Sequence, residues 1–222
     1  MTFPIVFLSV TQLSEKLEDG LLSSLELIEE YLERIRKHDR NLGAFIDVYE
    51  EEAHKAAAAS DMARASGHII GPLQGIPVAV KDIIDIEGKI TTWGSMVWKD
   101  RRSSLTATLV RRMVEAGMIV LGKTHTVEFA MGSFGTNQHM GSPKNPWDLE
   151  EHRATGGSSG GTAAAVTAGL SPWGIGTDTG GSVRIPSAWC GLTGLKTSVG
   201  RISTHGVLPL SHTLDTPGPM CR

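Results

Sequence analysis

Three groups of residues have chemistry that could support catalysis, and the first is Lys81. This lysine ends the apolar run Ile76 to Val80 and is followed directly by Asp82. An amine at the end of a buried strand is partly removed from water, which lowers its pKa and lets it act as a base. An ordinary lysine whose ammonium reaches solvent beyond the strand would have the same local pattern. Lys81 is therefore a candidate base only in combination with other groups.

The second group is the pair Ser158 and Ser159, which stands among glycines in the segment Gly156 to Gly161. This segment leads into Thr162 to Leu170, an alanine-rich stretch with few polar residues, which predicts a helix packed on all sides. Serine is also a good N-cap residue, so the position alone fits a purely structural role.

The third group is the turn Gly180-Gly181-Ser182, which follows the polar residues Thr177 to Thr179. Successive backbone N–H groups in such a turn point toward one place and can stabilise an oxyanion. A tight turn or a general anion site would have the same sequence. Taken together, the three groups favour a catalytic site over three separate structural explanations.

One familiar motif is present by spacing but fails on chemistry. Gly117 to Thr124 has the spacing of a phosphate-binding loop, yet Met, Ile, Val and Leu separate Gly117 from Gly122. A phosphate loop needs residues that expose their backbone, whereas these four favour a buried strand. We therefore interpret Gly117 as a helix terminator and expect no nucleotide site.

A second motif, Gly156-x-Ser158-x-Gly160, has the spacing of the nucleophile elbow of α/β-hydrolases. That elbow follows a hydrophobic strand, but residues 148–153 are mostly charged or polar. His205 and His212 lie downstream, and lone histidines in loops are usually solvated or structural. We expect no Ser-His-Asp triad.

Metal chemistry is also not indicated. His125, His139 and His152 have no metal-ligand spacing and are expected at the surface. Cys190 and Cys221 are too few for a disulfide framework or a four-ligand zinc site. The sequence predicts neither a metal nor a cofactor.

The elements that must position the three groups alternate between helices and strands, which predicts an α/β architecture. Ser23 and Glu26 have the spacing of a capping box. The predicted helices are one that follows Ser23 with the apolar stripe Leu25, Ile28, Leu32 and Ile35, Glu51 to Ala65, Leu105 to Ala116, Thr162 to Leu170, and a short one near Pro186. The predicted strands are Ile76 to Val80, Met118 to Leu121 and Trp173 to Gly176, and Leu42 to Val48 is predicted to be a connector.

Composition and charge exclude several classes of protein. Apolar residues make up 40% and charged residues 20% of the 222 residues, as in a typical globular protein, and the net charge is −3. The absence of a basic stripe disfavours direct nucleic-acid binding. No apolar run reaches the ~20 residues that cross a bilayer, and the first ten residues lack a secretory pattern. We expect a cytoplasmic protein with no membrane association.

Three segments resemble the signature of the amidase signature family: Gly75 to Asp82, Gly156 to Gly161 and Gly176 to Pro186. The interval between Ser158 and Ser182 also fits that family. Three further segments resemble those that flank the signature in that family: Asn145-Pro-Trp147, Cys190-Gly191 and Gly194-Leu-Lys196. The resemblance runs from about residue 10 to the last residue. It implies an α/β fold with a mixed β-sheet covered by helices on both faces, here incomplete at the C-terminus.

The resemblance also implies roles for individual residues. Ser182 corresponds to the nucleophile that forms an acyl-enzyme, Lys81 to the base, and Ser158, on a cis peptide bond, to the serine that relays the proton. The implied oxyanion hole consists of the backbone N–H groups of Thr179, Gly180, Gly181 and Ser182. The implied supporting residues are Ser159, Asp178 and Arg184, and the implied substrate wall includes Met131 and Gly132.

The chain departs from the family pattern in two residues and in length. Thr155 and Thr197 stand where many relatives have proline, which affects loop rigidity and not the chemistry. Members of the family have a fold about twice as long. Residues 1–222 are therefore interpreted as the N-terminal catalytic half of one domain, with a helical part over 1–70 and a catalytic core over 71–222. The abrupt end at Met220 to Arg222 indicates an interrupted chain.

The leading functional hypothesis is an amidase that hydrolyses a small-molecule carboxamide to a carboxylate and ammonia or an amine. One alternative is the A subunit of a glutamine-dependent Asp/Glu-tRNA amidotransferase, which would need a partner subunit. Ile202 to Gly206 resembles stand-alone amidases more than amidotransferases. Another alternative is a truncated, inactive amidase-like fragment. A homodimer is compatible with the leading hypothesis.

Overall fold

One six-stranded mixed sheet organises residues 4–222, which are the part of the chain that the computed structural model describes. The strands are β1 (Phe45–Val48), β2 (Pro77–Lys81), β3 (Ile119–Thr124), β4 (Trp173–Asp178), β5 (Thr193–Gly194) and β6 (Thr216–Cys221). Their order across the sheet is β1-β3-β2-β4-β6-β5. The three central strands β3, β2 and β4 are parallel, and the outer strands pair antiparallel.

The parallel centre decides where polar chemistry can collect. Because parallel strands run in one direction, the carboxyl ends of β2, β3 and β4 lie at the same edge of the sheet. Those ends are Lys81, Thr124 and Asp178, respectively. The sheet therefore brings the candidate base next to the polar turn that follows β4.

Six helices accompany the sheet in the described part of the chain. They are α1 (Val10–Glu18), α2 (Ser24–Leu42), α3 (Glu50–Ala65), α4 (Thr108–Glu115), α5 (Gly160–Thr167) and α6 (Arg184–Cys190). Capping boxes at Ser9 and Ser23 satisfy the first backbone N–H groups of α1 and α2. No helix within residues 4–222 combines the length and apolarity needed to span a bilayer.

Helices and loops bury apolar surface on both faces of the sheet. On one face α1, α2, α3 and α5 enclose the larger core, which includes Leu32, Ala79 and Leu121. On the other face α4 and neighbouring loops pack on Val80 and Ile175. The predicted mixed sheet with helices on both faces is confirmed.

The helix α5, which follows the serine segment, packs directly on the sheet. All seven residues from Gly160 to Val166 are buried, as predicted for a helix with little polar surface. A Cβ at Gly176 of β4 would lie 2.7 Å from Ser159 Oγ, so glycine is needed for this approach. Thr162 Oγ1 of α5 also pairs with Thr124 Oγ1 at the end of β3, 2.7 Å away. Close contact of α5 with β3 and β4 fixes the position of the serines at its start.

Most predicted elements are confirmed within one to three residues, and the capping box at Ser23 is confirmed. Gly117 follows the C-cap residue of α4, Ala116, with φ +87°, and Gly122 lies inside β3, so this segment is not a phosphate loop. Residues 148–153 form turns and no strand, as expected from their polarity.

Four predictions about the elements are wrong or incomplete. Leu42 to Val48 is not only a connector, because Phe45–Val48 pairs with β3 as an edge strand. Leu25 is 42% exposed, although it was assigned to the apolar stripe of α2. The strand β4 continues two residues beyond Gly176, and β6 was not predicted because Pro217 and Pro219 interrupt its sequence.

We predict that Gly161→Ala destabilises the fold by about 1–3 kcal/mol, because a Cβ there collides with backbone and cannot be relieved by a side-chain rotation. The added carbon would meet the backbone N of His125 and lie 2.6 Å from the carbonyl oxygen of Ala44. The control Gly71→Ala, where no atom lies within 4 Å of the added carbon, should change the unfolding free energy by less than about 0.5 kcal/mol. Urea unfolding of both variants measures the difference, and equal effects would contradict the packing assignment.

Candidate active site

The centre of the candidate site is the amine of Lys81, which is fully buried at the carboxyl end of β2. Its Nζ lies 2.7 Å from Ser158 Oγ and donates a hydrogen bond of 2.8 Å to Thr177 Oγ1. Ser158 belongs to the segment before α5 and its peptide bond with Gly157 is cis, as the family resemblance implies. Two residues 77 positions apart in sequence therefore share a buried polar contact.

Ser159 joins the same cluster through the backbone of β4. Its hydroxyl donates to the carbonyl oxygen of Thr177 and accepts from the Thr177 N–H, both at 3.3 Å. Its own N–H donates to the carbonyl oxygen of Ser182 at 3.2 Å. Ser159 thereby connects the start of α5 to β4 and to the turn that follows it.

The buried position of Lys81 changes its acid–base behaviour. Burial lowers the pKa of Lys81 to about 7, while the negative charges of Asp178 and Asp215 oppose the shift. Lys81 forms no ion pair with any described carboxylate, and its hydrogen-bond partners are hydroxyl groups. A substantial fraction of this amine is therefore neutral near pH 7 and able to accept a proton.

The turn after β4 is shaped by the carboxylate of Asp178. This carboxylate accepts from the backbone N–H groups of Val183 and Arg184 and, at 2.9 and 3.0 Å, from the Arg184 guanidinium. Burial would raise the pKa of Asp178, but the hydrogen bonds from Arg184 and the two N–H groups outweigh it and hold the pKa at about 2. The predicted Asp178–Arg184 ion pair is present.

Two further residues hold the outside of this turn. Lys196 Nζ donates to the carbonyl oxygen of Asp178 at 2.5 Å and lies 3.4 Å from its carboxylate. Asp215 accepts from the Thr179 hydroxyl at 2.5 Å.

The N–H groups of Gly180, Gly181 and Ser182 have no acceptor among the described residues, so they are free to bind a ligand oxygen. N–H groups without an internal acceptor are one requirement of an oxyanion hole.

Ser182 is brought near the other serines, but its hydroxyl is not joined to them. Its backbone carbonyl accepts from Ser159, and its side chain is partly exposed beside the free N–H groups. Within residues 4–222, no hydrogen bond links the hydroxyl groups of Ser182 and Ser158. The structure thus contains the contact between Lys81 and Ser158, whereas the second half of the predicted relay remains a prediction.

The predicted substrate wall lies on an exposed segment. Met131 is 71% exposed and lines, with Gly132, an open groove of about 360 Å³. That groove contains none of Lys81, Ser158 and Ser182. A larger groove of about 700 Å³, between α3 and α4, also contains none of them, so cavity size does not identify the site.

Several residues of the site were missed by sequence reasoning. Thr177 was recognised only as part of a polar turn, and Asp215 was not singled out. Lys123 was considered only within the rejected phosphate-loop motif, although it is as buried as Lys81. The expected surface location is wrong for His125, which is 9% exposed and has its pKa lowered to about 4 by burial.

The possible metal ligands can be located within residues 4–222. His139 and His152 are exposed, as expected. No group of three or more His, Cys, Asp or Glu side chains within residues 4–222 is arranged to hold a metal ion. The residues of the candidate site are instead a lysine, serines and threonines, which suit proton transfer and nucleophilic attack.

Comparisons with known proteins point to one family. The sequence model of the Amidase family matches residues 26–222. The A subunit of glutamyl-tRNA(Gln) amidotransferase from Chromohalobacter salexigens is 47% identical over 214 residues, which is 96% of this chain and 43% of that protein.

Solved structures of amide-cleaving proteins also match this chain. The native peptide amidase from Stenotrophomonas maltophilia superposes with a TM-score of 0.93 at 38% identity, over 100% of this chain and 46% of that chain. A 6-aminohexanoate cyclic dimer hydrolase superposes with a TM-score of 0.88 at 33% identity, over 99% of this chain and 44% of that chain. The chain therefore spans less than half the length of the relatives it matches. We conclude that the chain belongs to the amidase family.

Proposed function

We propose that this chain supplies the catalytic residues of an amidohydrolase, in which Ser182 attacks a carboxamide and forms an acyl-enzyme. The observation that carries the proposal is the buried Lys81 amine, 2.7 Å from Ser158 Oγ and close to a turn with free N–H groups. A buried lysine without a carboxylate partner has a high energetic cost for a fold. Its pKa near 7 makes it useful as a base at neutral pH.

In the proposed acylation step, the proton of Ser182 Oγ moves to Ser158 Oγ as the proton of Ser158 moves to neutral Lys81. Thr177 Oγ1 accepts one N–H of the amine, which leaves the nitrogen lone pair available for Ser158. The Ser182 oxygen then forms a bond with the carbonyl carbon of the amide. The negative charge that develops on the carbonyl oxygen is stabilised by the N–H groups of the 179–182 turn.

Collapse of this intermediate breaks the carbon–nitrogen bond. The proton held by Lys81 returns through Ser158 to the leaving nitrogen, which departs as ammonia or an amine. Water then attacks the acyl-enzyme and gives a proton through Ser158 to Lys81. That proton returns through Ser158 to Ser182 Oγ as the bond between this oxygen and the acyl carbon breaks, and the carboxylate is released. The proton that Ser182 loses thus departs with the amine and is replaced by one from water, so Ser182, Ser158 and Lys81 return to their starting states.

A second candidate function is the A subunit of a glutamine-dependent tRNA amidotransferase. The observation that favours it is the high identity to such subunits over nearly the whole chain. The catalytic steps would be the same, with glutamine as the amide and ammonia passed to a partner subunit. The segment Ile202 to Gly206 favours a stand-alone amidase instead, so the substrate and the partner distinguish the two.

We predict that Ser182→Ala abolishes labelling by a fluorophosphonate probe and lowers amide hydrolysis at least about 1,000-fold, because the nucleophile is lost. The matched control is Ser198→Ala, which removes the hydroxyl of an exposed serine outside the site. In-gel fluorescence and mass spectrometry of the labelled peptide measure the outcome. Undiminished labelling of the Ser182→Ala protein would refute the nucleophile assignment.

We predict that the labelling rate of Ser182 rises with pH and levels off above pH about 7, because only neutral Lys81 accepts a proton. Below this value the rate should fall about tenfold per pH unit as the amine becomes protonated. Lys81→Met, which keeps the volume of the side chain, should label slowly and without this inflection. An unchanged pH profile in Lys81→Met would show that another group is the base.

The two candidate functions predict different dependence on a partner. A stand-alone amidase releases ammonia from simple carboxamides as the isolated chain. An amidotransferase subunit releases ammonia from glutamine, and its rate rises when the other subunits of the complex are added. Ammonia release measured with both substrates, with and without partner subunits, separates them. If neither condition gives turnover and Ser182 is not labelled, the chain is an inactive relative.

A further inference from the structure

A second fully buried lysine lies near the candidate base and has no place in the mechanism above. Lys123 is on β3, next to β2, and its Nζ donates to the carbonyl oxygen of Ile84 at 2.5 Å and to Thr91 Oγ1 at 2.8 Å. It also pairs with the buried carboxylate of Asp82, 3.3 Å away. Because Asp82 directly follows Lys81, this ion pair is next to the base in the chain.

The ion pair holds the chain on the carboxyl side of Lys81. The carbonyl oxygen of Lys81 accepts from the N–H of Ile84, so a tight turn follows the base. Lys123 contacts this turn at two of its residues, through the Asp82 carboxylate and the Ile84 carbonyl oxygen. The other carboxylate oxygen of Asp82 accepts from the N–H and hydroxyl of Thr92 at 3.0 and 2.5 Å.

Asp82 of this ion pair is also linked by backbone hydrogen bonds to the segment that contacts Ser158. The carbonyl oxygen of Asp82 accepts from the N–H of Trp93, and the carbonyl oxygen of Trp93 accepts from the N–H of Phe129. Phe129 lies two residues before Met131, which belongs to the predicted substrate wall. In that segment Val127 donates its N–H to the carbonyl oxygen of Ser158 at 3.3 Å. A chain of backbone hydrogen bonds thus joins Asp82 to the loop that touches Ser158.

We propose that Asp82 and Lys123 are positioning residues, which fix the backbone after Lys81 so that its amine stays excluded from water and directed at Ser158. Asp82 is the first residue after β2, and its carboxylate is bound by Thr92 and Lys123 and not by Lys81. Lys81 remains without a counterion because Asp82 is committed to Lys123. The catalytic significance of this positioning rests on the proposed function, whereas the effect on Lys81 does not.

The experiment compares wild-type protein with the double variant Asp82→Asn/Lys123→Met. Both charges are removed together because either single change leaves an unpaired charge in the interior. Lysine labelled with 13C at Cε is titrated by NMR, and the Lys81 signal is the one that Lys81→Met lacks. The charged groups that face this amine are Asp178 and Asp215, and both variants keep them.

We expect a Lys81 midpoint of about 7 in the wild type. In the double variant it should rise by at least about one pH unit, because water reaches an amine whose backbone is no longer held. Labelling of Ser182 by the fluorophosphonate at pH 7 should fall at least about fivefold, because the neutral fraction of the amine falls from about one half to about one eleventh.

Two controls separate positioning from general stability. Leu32→Ala removes a buried side chain from the helical layer and lowers Tm without contact with the site, so the Lys81 midpoint should stay unchanged. Glu51→Gln/Lys55→Met removes an exposed ion pair of the same chemical types and should change neither measurement.

An unchanged Lys81 midpoint in the double variant, or an equal shift in Leu32→Ala, overturns the proposal. If the double variant does not fold, Thr92→Val removes one donor to Asp82 and should raise the midpoint by a smaller amount, and no shift there overturns the proposal as well. The NMR midpoint needs no catalysis. A shifted midpoint in a chain whose wild type is not labelled therefore refutes the proposed function and leaves the positioning role standing.

Discussion

The exclusion of water from one amine is the constraint on which the rest of the site depends. Lys81 and Lys123 are both fully buried and lie on neighbouring strands, yet their surroundings differ. Lys123 is neutralised by a carboxylate, whereas Lys81 is surrounded by hydroxyl groups of Ser158 and Thr177. Hydroxyl groups satisfy hydrogen bonds without stabilising the charged form strongly. Desolvation therefore dominates and lowers the pKa of the Lys81 amine to about 7.

The parallel centre of the sheet is what brings these groups to one edge. Lys81 and Thr177 come from adjacent parallel strands and meet because both strands end at the same edge. Ser158 comes from the segment just before α5. This segment can lie close to the sheet because α5 has small residues and because β4 has a glycine, Gly176, at the point of contact. Packing and chemistry are therefore linked at this point, since a larger residue at Gly176 would displace Ser159 and the turn that it contacts.

Much of this arrangement was predictable from local sequence. The apolar run before Lys81, the serines among glycines and the glycine turn before Ser182 each have a strong local pattern. No local pattern indicates which residues meet when they are far apart in the sequence. Thr177 is 96 residues from Lys81, and nothing in either segment indicates that they meet. Lys123 lies in a run of apolar residues that predicts a strand but gives no information about the carboxylate opposite.

Errors in the predicted elements have similar causes. A short edge strand such as β1 has only four residues and an irregular register with β3, so its pattern is weak. The strand β6 contains two prolines, which usually exclude a strand, and it forms because it pairs with β4 along six residues. His125 was expected at the surface because it has no metal-ligand spacing. It is buried instead, and its backbone N–H donates to the carbonyl oxygen of Ala44 while its carbonyl oxygen accepts from the N–H of Gly161.

The supports on the outer side of the Ser182 turn come from the last part of the chain. Lys196 and Asp215 hold Asp178 and Thr179, and β6 is the neighbour of β4 on that side. A polypeptide synthesised only as far as α6 already contains Lys81, Ser158 and Ser182 but not these supports. The order of the turn at residues 179–182 therefore depends on residues that follow it by more than thirty positions, and we expect this turn to become ordered only after β6 has paired with β4.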